Sequence, residues 1–345
     1  MMTKAAKKGL SVVWKGGVVL KYRDLCIAFD PMVEDSQFTH VFVSHGHIDH
    51  SKGLGFQGIP RFTTPETKDL VMASRRFDGE GVEELRIGDK VKLDDLEVQA
   101  LNSGHILGSC LFHLSSPEGT FVYTGDMNFS KTIITEPADV VPCDILAIEA
   151  TFGSPRFSFP SRDSIYRDLV DWALGCLLRG EVPAFRADAM GNSQELISVF
   201  NRFTEIPIVT EPSVTRINRV YESYGFVLNY IPSRSLQGAA LLASKKCILI
   251  APKNADLSHN PTLRTALASG LSMVFGSPRD RFPLSDHADF PHLLEYVASV
   301  KPKMVYTYHG GRLNETLASL IERRLGIEAR PLPTEPMKDV EIHAY

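Results

Sequence analysis

The sequence contains no hydrophobic run long enough to cross a membrane. A transmembrane helix needs about 20 consecutive apolar residues, and no stretch of the 345 residues approaches that length. The amino-terminal segment MMTKAAKKGLSVVW has basic residues but lacks the long apolar core and small-residue cleavage site of a secretion signal. We therefore expect a cytoplasmic protein without a membrane partner.

Cysteine is scarce and irregularly placed. The chain has five cysteines without CxxC spacing: Cys26, Cys110, Cys143, Cys176 and Cys247. An odd number of widely separated cysteines does not suit a disulfide framework. Most of them stand within apolar stretches, so we expect buried free thiols, as is usual in a reducing compartment.

The chain also lacks an excess of positive charge. Its 37 lysines and arginines stand against 41 aspartates and glutamates, a formal net charge of -4. This balance excludes a protein that coats nucleic acid by bulk charge, although a local basic groove remains compatible with it. The composition, 43% hydrophobic and 23% charged, is that of a folded chain with one large domain or two ordinary ones.

Short β-branched and aromatic runs dominate the first 150 residues, whereas strands and helices alternate afterwards. The predicted strands are 18–22, 25–29, 40–44, 96–100, 111–115, 120–124, 182–185, 208–210, 247–251, 272–275 and 304–307. The predicted helices are 161–178, 193–203, 213–224, 291–300 and 313–325. Ser213 is the expected N-cap of its helix and Gly225 the glycine after its end. The pattern predicts an α/β fold in which packed sheets precede a parallel α/β unit.

The strongest motif is the hexapeptide His45-Gly-His47-Ile-Asp49-His50, which directly follows an apolar strand. Three of the chain's 11 histidines fall in this segment. Side chains this close together converge when they lie on a tight loop at the end of a strand. Imidazole and carboxylate ligands suit zinc, and also manganese or iron. The segment therefore predicts a metal site.

HxHxDH resembles the signature of the metallo-β-lactamase superfamily, and three further motifs follow the order of that family. Asp30 lies in AFDP and resembles the early aspartate that orients the metal loop. His105 lies in NSGHILGS and resembles the third histidine of the first metal site. Asp126 lies in YTGDMN and resembles the aspartate that bridges two metal ions.

Three later motifs resemble those of the β-CASP nucleases within that superfamily. They are EATFG with Glu149, LSDHADF with His287, and VYTYHGG with His309. LSDHADFP is most similar to ligase-associated exonucleases and archaeal mRNA 3′-end processing factors. The resemblance implies an αββα sandwich interrupted by an α/β insert. The expected division is 1–151 and 276–345 for the sandwich domain and 152–275 for the insert.

The resemblance also implies two divalent metal ions, with Zn²⁺ expected first and Mn²⁺ as the second possibility. His45, His47 and His105 are the expected ligands of one ion, and Asp49, His50 and His309 those of the other, with Asp126 between them. The expected catalytic residues are Asp49, the general acid His287 and its partner Glu149. The roles of His287 and His309 could be exchanged. Such a metal pair activates water and neutralises charge at a phosphate.

The function implied is a nuclease that hydrolyses phosphodiester bonds of single-stranded nucleic acid, and a homodimer is left open. His309 resembles the RNA-acting members and favours RNA, whereas the ligase-associated resemblance favours a DNA exonuclease. A small-molecule metallo-hydrolase and an inactive scaffold subunit are two further hypotheses. Candidate substrate contacts are Ser193, Gln194, Arg279 and Arg281. The segment ADAMGNSQE lacks the basic residue that many β-CASP inserts carry there.

Overall fold

The computed structural model describes residues 9–273 and 280–332, which form three β-sheets and seven α-helices. The strands are β1 (Ser11–Trp14), β2 (Val18–Tyr22), β3 (Leu25–Phe29), β4 (His40–Phe42), β5 (Arg61–Thr63), β6 (Val82–Glu84), β7 (Lys90–Leu93), β8 (Leu96–Asn102), β9 (Cys110–Ser116), β10 (Gly119–Tyr123), β11 (Ile145–Glu149), β12 (Val182–Ala187), β13 (Ile208–Thr210), β14 (Ile231–Pro232), β15 (Ile248–Pro252), β16 (Leu263–Ala268), β17 (Arg281–Phe282), β18 (Met304–Tyr308) and β19 (Glu328–Pro331). The helices are α1 (Pro65–Ser74), α2 (Arg162–Leu178), α3 (Asn192–Phe203), α4 (Pro212–Ser223), α5 (Leu236–Ser244), α6 (Phe290–Val300) and α7 (Leu313–Leu325). The α/β class predicted from the sequence is confirmed.

Two of the sheets pack face to face across one apolar core. The first has the order β1-β2-β3-β4-β5-β6, and the second β19-β18-β11-β10-β9-β8-β7. In β8, Leu96, Val98 and Ala100 are fully buried while the residues between them are partly exposed, the alternation of a strand with one face on a core. The rings of Phe29 in β3 and Tyr123 in β10 stack with centroids 4.9 Å apart, which joins the two sheets.

Helices cover the outer faces of both sheets. Val71 of α1 packs with Val41 and Val43 on the first sheet. Leu293 of α6 and Leu317 of α7 belong to the core on the second sheet. Because the second sheet is covered on both faces, its central strand β11 is an almost continuous apolar run, ILAI, rather than an alternating one.

The third sheet is entirely parallel, with the order β14-β13-β15-β12-β16-β17. Helices α2, α3 and α4 pack on one face through residues such as Leu169, Leu196 and Ile217. Leu241 and Leu242 of α5 pack on the other face. We call β12–β17 with α2–α5 the parallel unit. Because all its strands run the same way, their carboxyl ends lie along one edge of the sheet.

Two details differ from the sequence prediction. Helix α4 begins at Pro212 and its N-cap is Glu211, so the prediction of Ser213 as the cap was wrong. Proline favours the first helical position because it has no N–H to leave unsatisfied there. The strand predicted at 272–275 was also wrong over its described part, where a 3-10 helix, Gly270–Met273, follows the unforeseen strand β16. Residues 274 and 275 lie outside the described ranges.

The five cysteines are buried and free, as predicted. Among the described residues, no helix combines the length and the apolar character that a bilayer span requires.

Candidate metal centre

The histidine-rich segment forms the loop between β4 and a short 3-10 helix, Ser51–Gly55. The imidazoles of His45 and His50 are buried, and that of His47 is half-buried. Asp49 is exposed, with 55% of its side chain accessible. The loop therefore turns its histidines into the protein at the carboxyl end of β4.

Asp30, which follows β3, holds this loop in place. Its carboxylate accepts hydrogen bonds from the backbone N–H and the hydroxyl of Ser44, at 2.7 and 2.5 Å, and from the hydroxyl of Tyr123 at 2.8 Å. The Nδ1 atom of His50 lies 2.8 Å from the same carboxylate. Asp30 has φ +47°, a left-handed conformation that aspartate adopts more readily than most residues. The orienting residue expected from the sequence thus contacts a histidine of the loop directly.

The other clustered histidines also have one ring nitrogen bound on the outer side of the cluster. The pairs are His45 Nδ1 with Ser44 Oγ (2.9 Å), His47 Nε2 with the carbonyl of Met190 (3.2 Å), and His105 Nδ1 with the carbonyl of Asp286 (2.9 Å). The second nitrogen of each ring is then fixed towards the centre of the cluster. Metal-binding histidines are oriented in this way, because the outer hydrogen bond sets both the tautomer and the ring plane.

Asp126, after β10, lies at the centre of the inward-facing nitrogens. Its Oδ2 atom is 3.2 Å from Nε2 of His50, 3.5 Å from Nε2 of His45 and 3.9 Å from Nε2 of His105. Potential ligand atoms of His45, His47, His105 and Asp126 all lie within 4.8 Å of one another. Segments far apart in the sequence therefore meet at a single carboxylate.

A second group of potential ligands adjoins the first. Asp49, His50 and His309 place ligand atoms within 4.8 Å of one another. Nε2 of His309 lies 3.3 Å from Nε2 of His50 and 3.6 Å from Oδ2 of Asp49. His309 follows β18 and has φ +65°, so the chain turns sharply at this residue. All seven side chains predicted as ligands are thus brought together in two adjoining groups.

Two buried atoms at the centre have no hydrogen-bond partner among the described residues. They are Nε2 of His45 and Oδ1 of Asp126. A buried polar atom without a partner costs about 1–3 kcal/mol, so such atoms call for an explanation. A divalent cation satisfies both, and a set of imidazole nitrogens with one carboxylate suits zinc or manganese. The residues present therefore fit a metal ion.

The protonation states agree with this fit. Burial lowers the pKa of His45 well below its ordinary value and that of His105 to about 4, so both rings are neutral at pH 7. For Asp126, burial opposes ionisation, but the charges of His50 and His309 outweigh it and hold the pKa well below the usual range. Neutral imidazole and ionised carboxylate are the forms that bind metal. Burial opposes protonation of His50, but Asp126 and Asp30 outweigh it and raise its pKa, so His50 has to release a proton when a metal ion binds.

His287 occupies a different environment from the buried potential ligands. Its Nδ1 atom lies 2.9 Å from Oε1 of Glu149, and its Nε2 atom lies 3.9 Å from Oδ2 of Asp126. Burial opposes protonation of His287, but the charges of Glu149 and Asp126 outweigh it and raise its pKa to about 10. Glu149 is itself fixed by the backbone N–H of Met127 at 2.9 Å. His287 is therefore a protonated group that faces the central carboxylate.

The loop that carries His287 is held by the parallel unit. Arg162, at the start of α2, donates a hydrogen bond to the carbonyl of Ser285. The same guanidinium contacts the carboxylate of Glu195 in α3 at 3.2 and 3.3 Å. The hydroxyl of Tyr166 donates a hydrogen bond to the same carboxylate, and Glu195 as a whole is only 2% exposed. The buried ion pair of Arg162 and Glu195 thus holds the backbone carbonyl of Ser285, two positions before His287.

Sequence reasoning did not find this ion pair, nor Asp286. Asp286 is buried, its carbonyl contacts His105, and its Oδ2 has no hydrogen-bond partner within the described ranges. The motif LSDHADF was the available signal for Asp286, because the residue directly precedes His287. Arg162 and Glu195 had none, since neither is near a metal-binding motif in the sequence.

The candidate substrate contacts lie in less open positions than expected. Ser193 and Gln194 are fully buried, and their side chains bond to the carbonyls of Asp188 and Ala189, at 2.7 and 3.1 Å. Arg281 donates to the carbonyl of Ser272. Arg279 lies outside the described residues. Substrate binding by these four residues stays a prediction, and three of them have structural contacts of their own.

Comparison with known proteins gives relatives over most of the chain. It is 30% identical over 308 residues to a probable DNA ligase of Opitutus terrae, which covers 84% of this chain and 28% of that protein. It is 28% identical to an RNase J-like protein of Methanocaldococcus jannaschii, covering 56% of this chain and 52% of the relative. It is 26% identical to the RNase aCSPSF2 of Saccharolobus solfataricus, covering 83% and 72%. This chain thus spans between about a quarter and three quarters of these relatives.

One solved structure matches nearly the whole fold. A protein of unknown function from Enterococcus faecalis superposes with a TM-score of 0.60 at 16% sequence identity, over 93% of this chain and 95% of that one. At this identity the likeness concerns the fold alone. No protein-family model matches the chain.

Proposed function

We propose that this chain, which belongs to the β-CASP branch of the metallo-β-lactamase superfamily, is a metal-dependent nuclease that hydrolyses phosphodiester bonds of RNA. The observation that carries the proposal is the convergence of seven potential ligands, Asp126 among them, in two adjoining groups, next to a histidine that is protonated by its environment. A phosphodiester needs charge neutralisation and a proton for its leaving oxygen, and this arrangement offers groups for both.

We assign the two facing sheets and the parallel unit to the two parts of the β-CASP architecture. Residues 1–151 and 276–345 are the proposed αββα domain, and 152–275 the proposed insert. The helices on the outer faces of the two sheets support the first assignment, and the separate parallel sheet supports the second. Strand β17 (Arg281–Phe282) pairs with β16, so the parallel sheet extends a few residues beyond the proposed boundary.

We assign the metal ligands as the sequence motifs suggest. His45, His47 and His105 would hold one divalent ion, Asp49, His50 and His309 would hold the other, and Asp126 would contribute a carboxylate to the pair. When bound, such ions supply charge neutralisation and an activated water. The hydrogen bonds of the outer ring nitrogens keep each imidazole in a ligating orientation, and Asp30 does this for His50.

His287 is the proposed general acid, and His309 the proposed ligand. The contact of His287 with Glu149 keeps its ring protonated, which is the state a general acid needs before the reaction. Its side chain is 16% accessible, so substrate can reach it, whereas those of His45 and His105 are fully enclosed. The contacts of His309 with His50 and Asp49 support its place in the ligand group instead.

Digestion of end-labelled RNA and DNA, each single- and double-stranded, by the zinc- or manganese-loaded protein tests the proposal. We expect cleavage of single-stranded RNA, and none by the Asp126→Ala variant. The fragment ladder reports whether cleavage is internal or starts from an end, and from which end. A metal-loaded protein that cleaves none of the four substrates would reject the proposal, and full activity of metal-stripped Asp126→Ala would reject the mechanism.

A DNA exonuclease is the second candidate. The observation in its favour is the match to the probable DNA ligase of Opitutus terrae, which covers 84% of this chain. The motif LSDHADF, with its resemblance to ligase-associated exonucleases, agrees with that match. Preferential degradation of labelled DNA in the same digestion would favour this candidate over RNA cleavage.

A further inference from the structure

A cationic cavity lies in the parallel unit, apart from the metal centre. A cavity of about 210 Å³ opens between the first turns of α4 and the segment after β14. Three arginines line it, Arg216 and Arg219 from α4 and Arg234 from the segment before α5. We call this cavity the arginine pocket. Three guanidinium groups around one small cavity repel one another unless an anion lies between them.

No carboxylate neutralises these arginines within residues 9–273 and 280–332. Arg216, Arg219 and Arg234 form no ion pair there, whereas Arg162, Arg179 and Arg264 each pair with an acidic residue. Arg219 interacts with the phenol of Tyr230. The acidic residue nearest to it in α4, Glu222, accepts a hydrogen bond from that same phenol at 3.1 Å. The three arginines thus have no direct ion pair in this part of the chain, and with only Glu222 near Arg219 through the shared phenol, the pocket carries an excess of positive charge.

Backbone groups add to the positive potential of the pocket. Helix α4 has Pro212 in its first turn, and the side chain of its N-cap residue Glu211 makes no capping hydrogen bond. In the described structure, the N–H of Thr215 is bonded to the carbonyl of Glu211, while those of Ser213 and Val214 have no backbone acceptor. Free N–H groups at a helix start favour a phosphate oxygen, and three arginines beside them strengthen that preference.

The arginine pocket lies on the same edge of the parallel sheet as the contact with the metal centre. The pocket lies at the carboxyl ends of β13 and β14, and Met190, which touches His47, follows the carboxyl end of β12. The sheet order β14-β13-β15-β12 separates them by two to three strand spacings, roughly 10–15 Å. Ligands of parallel sheets commonly bind along this edge.

We propose that the arginine pocket binds a backbone phosphate of the nucleic-acid strand whose scissile phosphate lies at the metal centre. The inference rests on the proposed nuclease function and adds a separate site of grip to it. A charged backbone a few nucleotides long spans the roughly 10–15 Å along the sheet edge between the pocket and the end of β12, where Met190 contacts His47. The pocket holds the strand in register without contacting bases, so it adds affinity irrespective of sequence.

The salt dependence of RNA binding tests this proposal. The full chain with Asp126→Asn, which keeps the RNA intact, is titrated with a fluorescent single-stranded RNA at several KCl concentrations. We expect Arg216→Gln/Arg219→Gln to weaken binding about tenfold at low salt, and to lower the slope of log K against log salt by about 0.7, since the pocket neutralises one phosphate and each phosphate neutralised on a single strand contributes about 0.7. Arg234→Gln alone lowers the slope by less than the double variant does.

Lys245→Asn/Lys246→Gln is the matched control. Both lysines are exposed and follow α5, at the opposite edge of the same sheet, and asparagine tolerates the left-handed conformation of Lys245. This pair also loses two charges, and we expect its slope to stay unchanged. Equal losses for both pairs, or none for the arginine pair, would overturn the proposal.

Hydrolysis of bis(p-nitrophenyl) phosphate distinguishes a failure of the arginine-pocket proposal from a failure of the proposed nuclease function. For this assay Arg216→Gln/Arg219→Gln is made in the chain that keeps Asp126. The small diester reaches the metal centre without extending to the arginine pocket, so this double variant is expected to hydrolyse it at the full rate. If the chain cleaves RNA but Arg216→Gln/Arg219→Gln leaves the salt slope of RNA binding unaltered, phosphate binding by the arginine pocket is rejected and the nuclease function stands. Failure of the unsubstituted chain to bind or cleave RNA overturns both.

Discussion

The two sides of the metal centre are built in different ways. On one side, four candidate ligands fall within six positions of one loop. Ser44 and Asp30 orient His45 and His50 nearby, whereas His47 contacts the distant carbonyl of Met190. On the other side, Glu149, His287 and His309 lie at strand ends or in loops far apart in the chain, and the loop before His287 is held by the parallel unit. The first side depends mainly on local contacts, and the second on the packing of remote segments.

This difference leads to distinct expectations for mutation. Under the proposed assignment, damage to the loop removes or misdirects a ligand, so we expect metal binding and catalysis to fail together. Damage to the contacts between the parallel unit and the loop of His287 leaves most ligands in place and affects proton transfer.

The largest effect is expected from His47→Ala on the loop side. Loss of a ligand removes several kcal/mol of charge stabilisation, so RNA cleavage is expected to fall by at least ~1,000-fold while the fold survives. Metal content by mass spectrometry and circular dichroism accompany the rate measurement. His259→Ala, at a histidine whose side chain is 86% exposed, is the control and keeps full activity. Normal metal content and rate in His47→Ala would contradict the ligand assignment.

On the other side, Arg162→Met removes the hydrogen bond to Ser285. We expect RNA cleavage to fall about 100-fold, because general acid catalysis depends on the placement of His287. Hydrolysis of bis(p-nitrophenyl) phosphate is expected to change little, since its leaving group departs without a proton. Metal content stays near that of the unsubstituted chain.

A second variant keeps this test informative about position rather than stability. Arg162→Met alone leaves the buried Glu195 without its cation, so Arg162→Met/Glu195→Gln removes both charges. The double variant is expected to lose RNA cleavage while hydrolysis of bis(p-nitrophenyl) phosphate changes little, as in Arg162→Met. His287→Ala is expected to show a larger difference between the two substrates. Equal losses on both substrates would mean that the ion pair supports the fold alone.

Asp30→Asn is expected to weaken metal binding by about 10–100-fold, because the residue behind a ligating histidine sets its orientation and basicity. Excess metal restores much of the cleavage rate. Competition with a fluorescent chelator measures the affinity. Asp94→Asn is the matched control, since Asp94 is exposed and shares the left-handed conformation, with φ +57°. An affinity unchanged in Asp30→Asn would argue against its role as the support of His50.

The smallest effect concerns stability beside Asp126. Gly125 and Gly180 have similar positive φ, +58° and +73°, but a Cβ on Gly125 would meet Cβ of Ser44 at 2.6 Å, whereas Gly180 faces open space. We expect Gly180→Ala to cost about 1–2 kcal/mol of unfolding free energy, the penalty of a left-handed conformation for alanine, and Gly125→Ala about 1–3 kcal/mol more. Urea denaturation measures both. Equal losses would show that the loop yields at Ser44.

The sequence predicted those parts of the molecule whose cause is local. The helix expected at 313–325 has those bounds, since Gly326 ends it in a left-handed conformation. The clustering of the potential ligands in the six-residue motif could be predicted because they are close together on one loop. Strand β16 was missed because its residues LRTALA carry a weak pattern and its partner β12 lies about 80 residues earlier. The Arg162–Glu195 pair was missed for the same reason, since only the packing of α2 against α3 brings its charges together.

The contact between Met190 and His47 has a consequence for modularity. The core of the parallel unit also includes Leu70 of α1 and Ile106, two residues from the first half of the chain. A shortened protein without the parallel unit would expose these apolar side chains and release the imidazole of His47 from its acceptor. The parallel unit is therefore not an independent module. Exchanging it between relatives requires that the loop after β12 be replaced together with the surface around His47, Leu70 and Ile106 that packs against the unit.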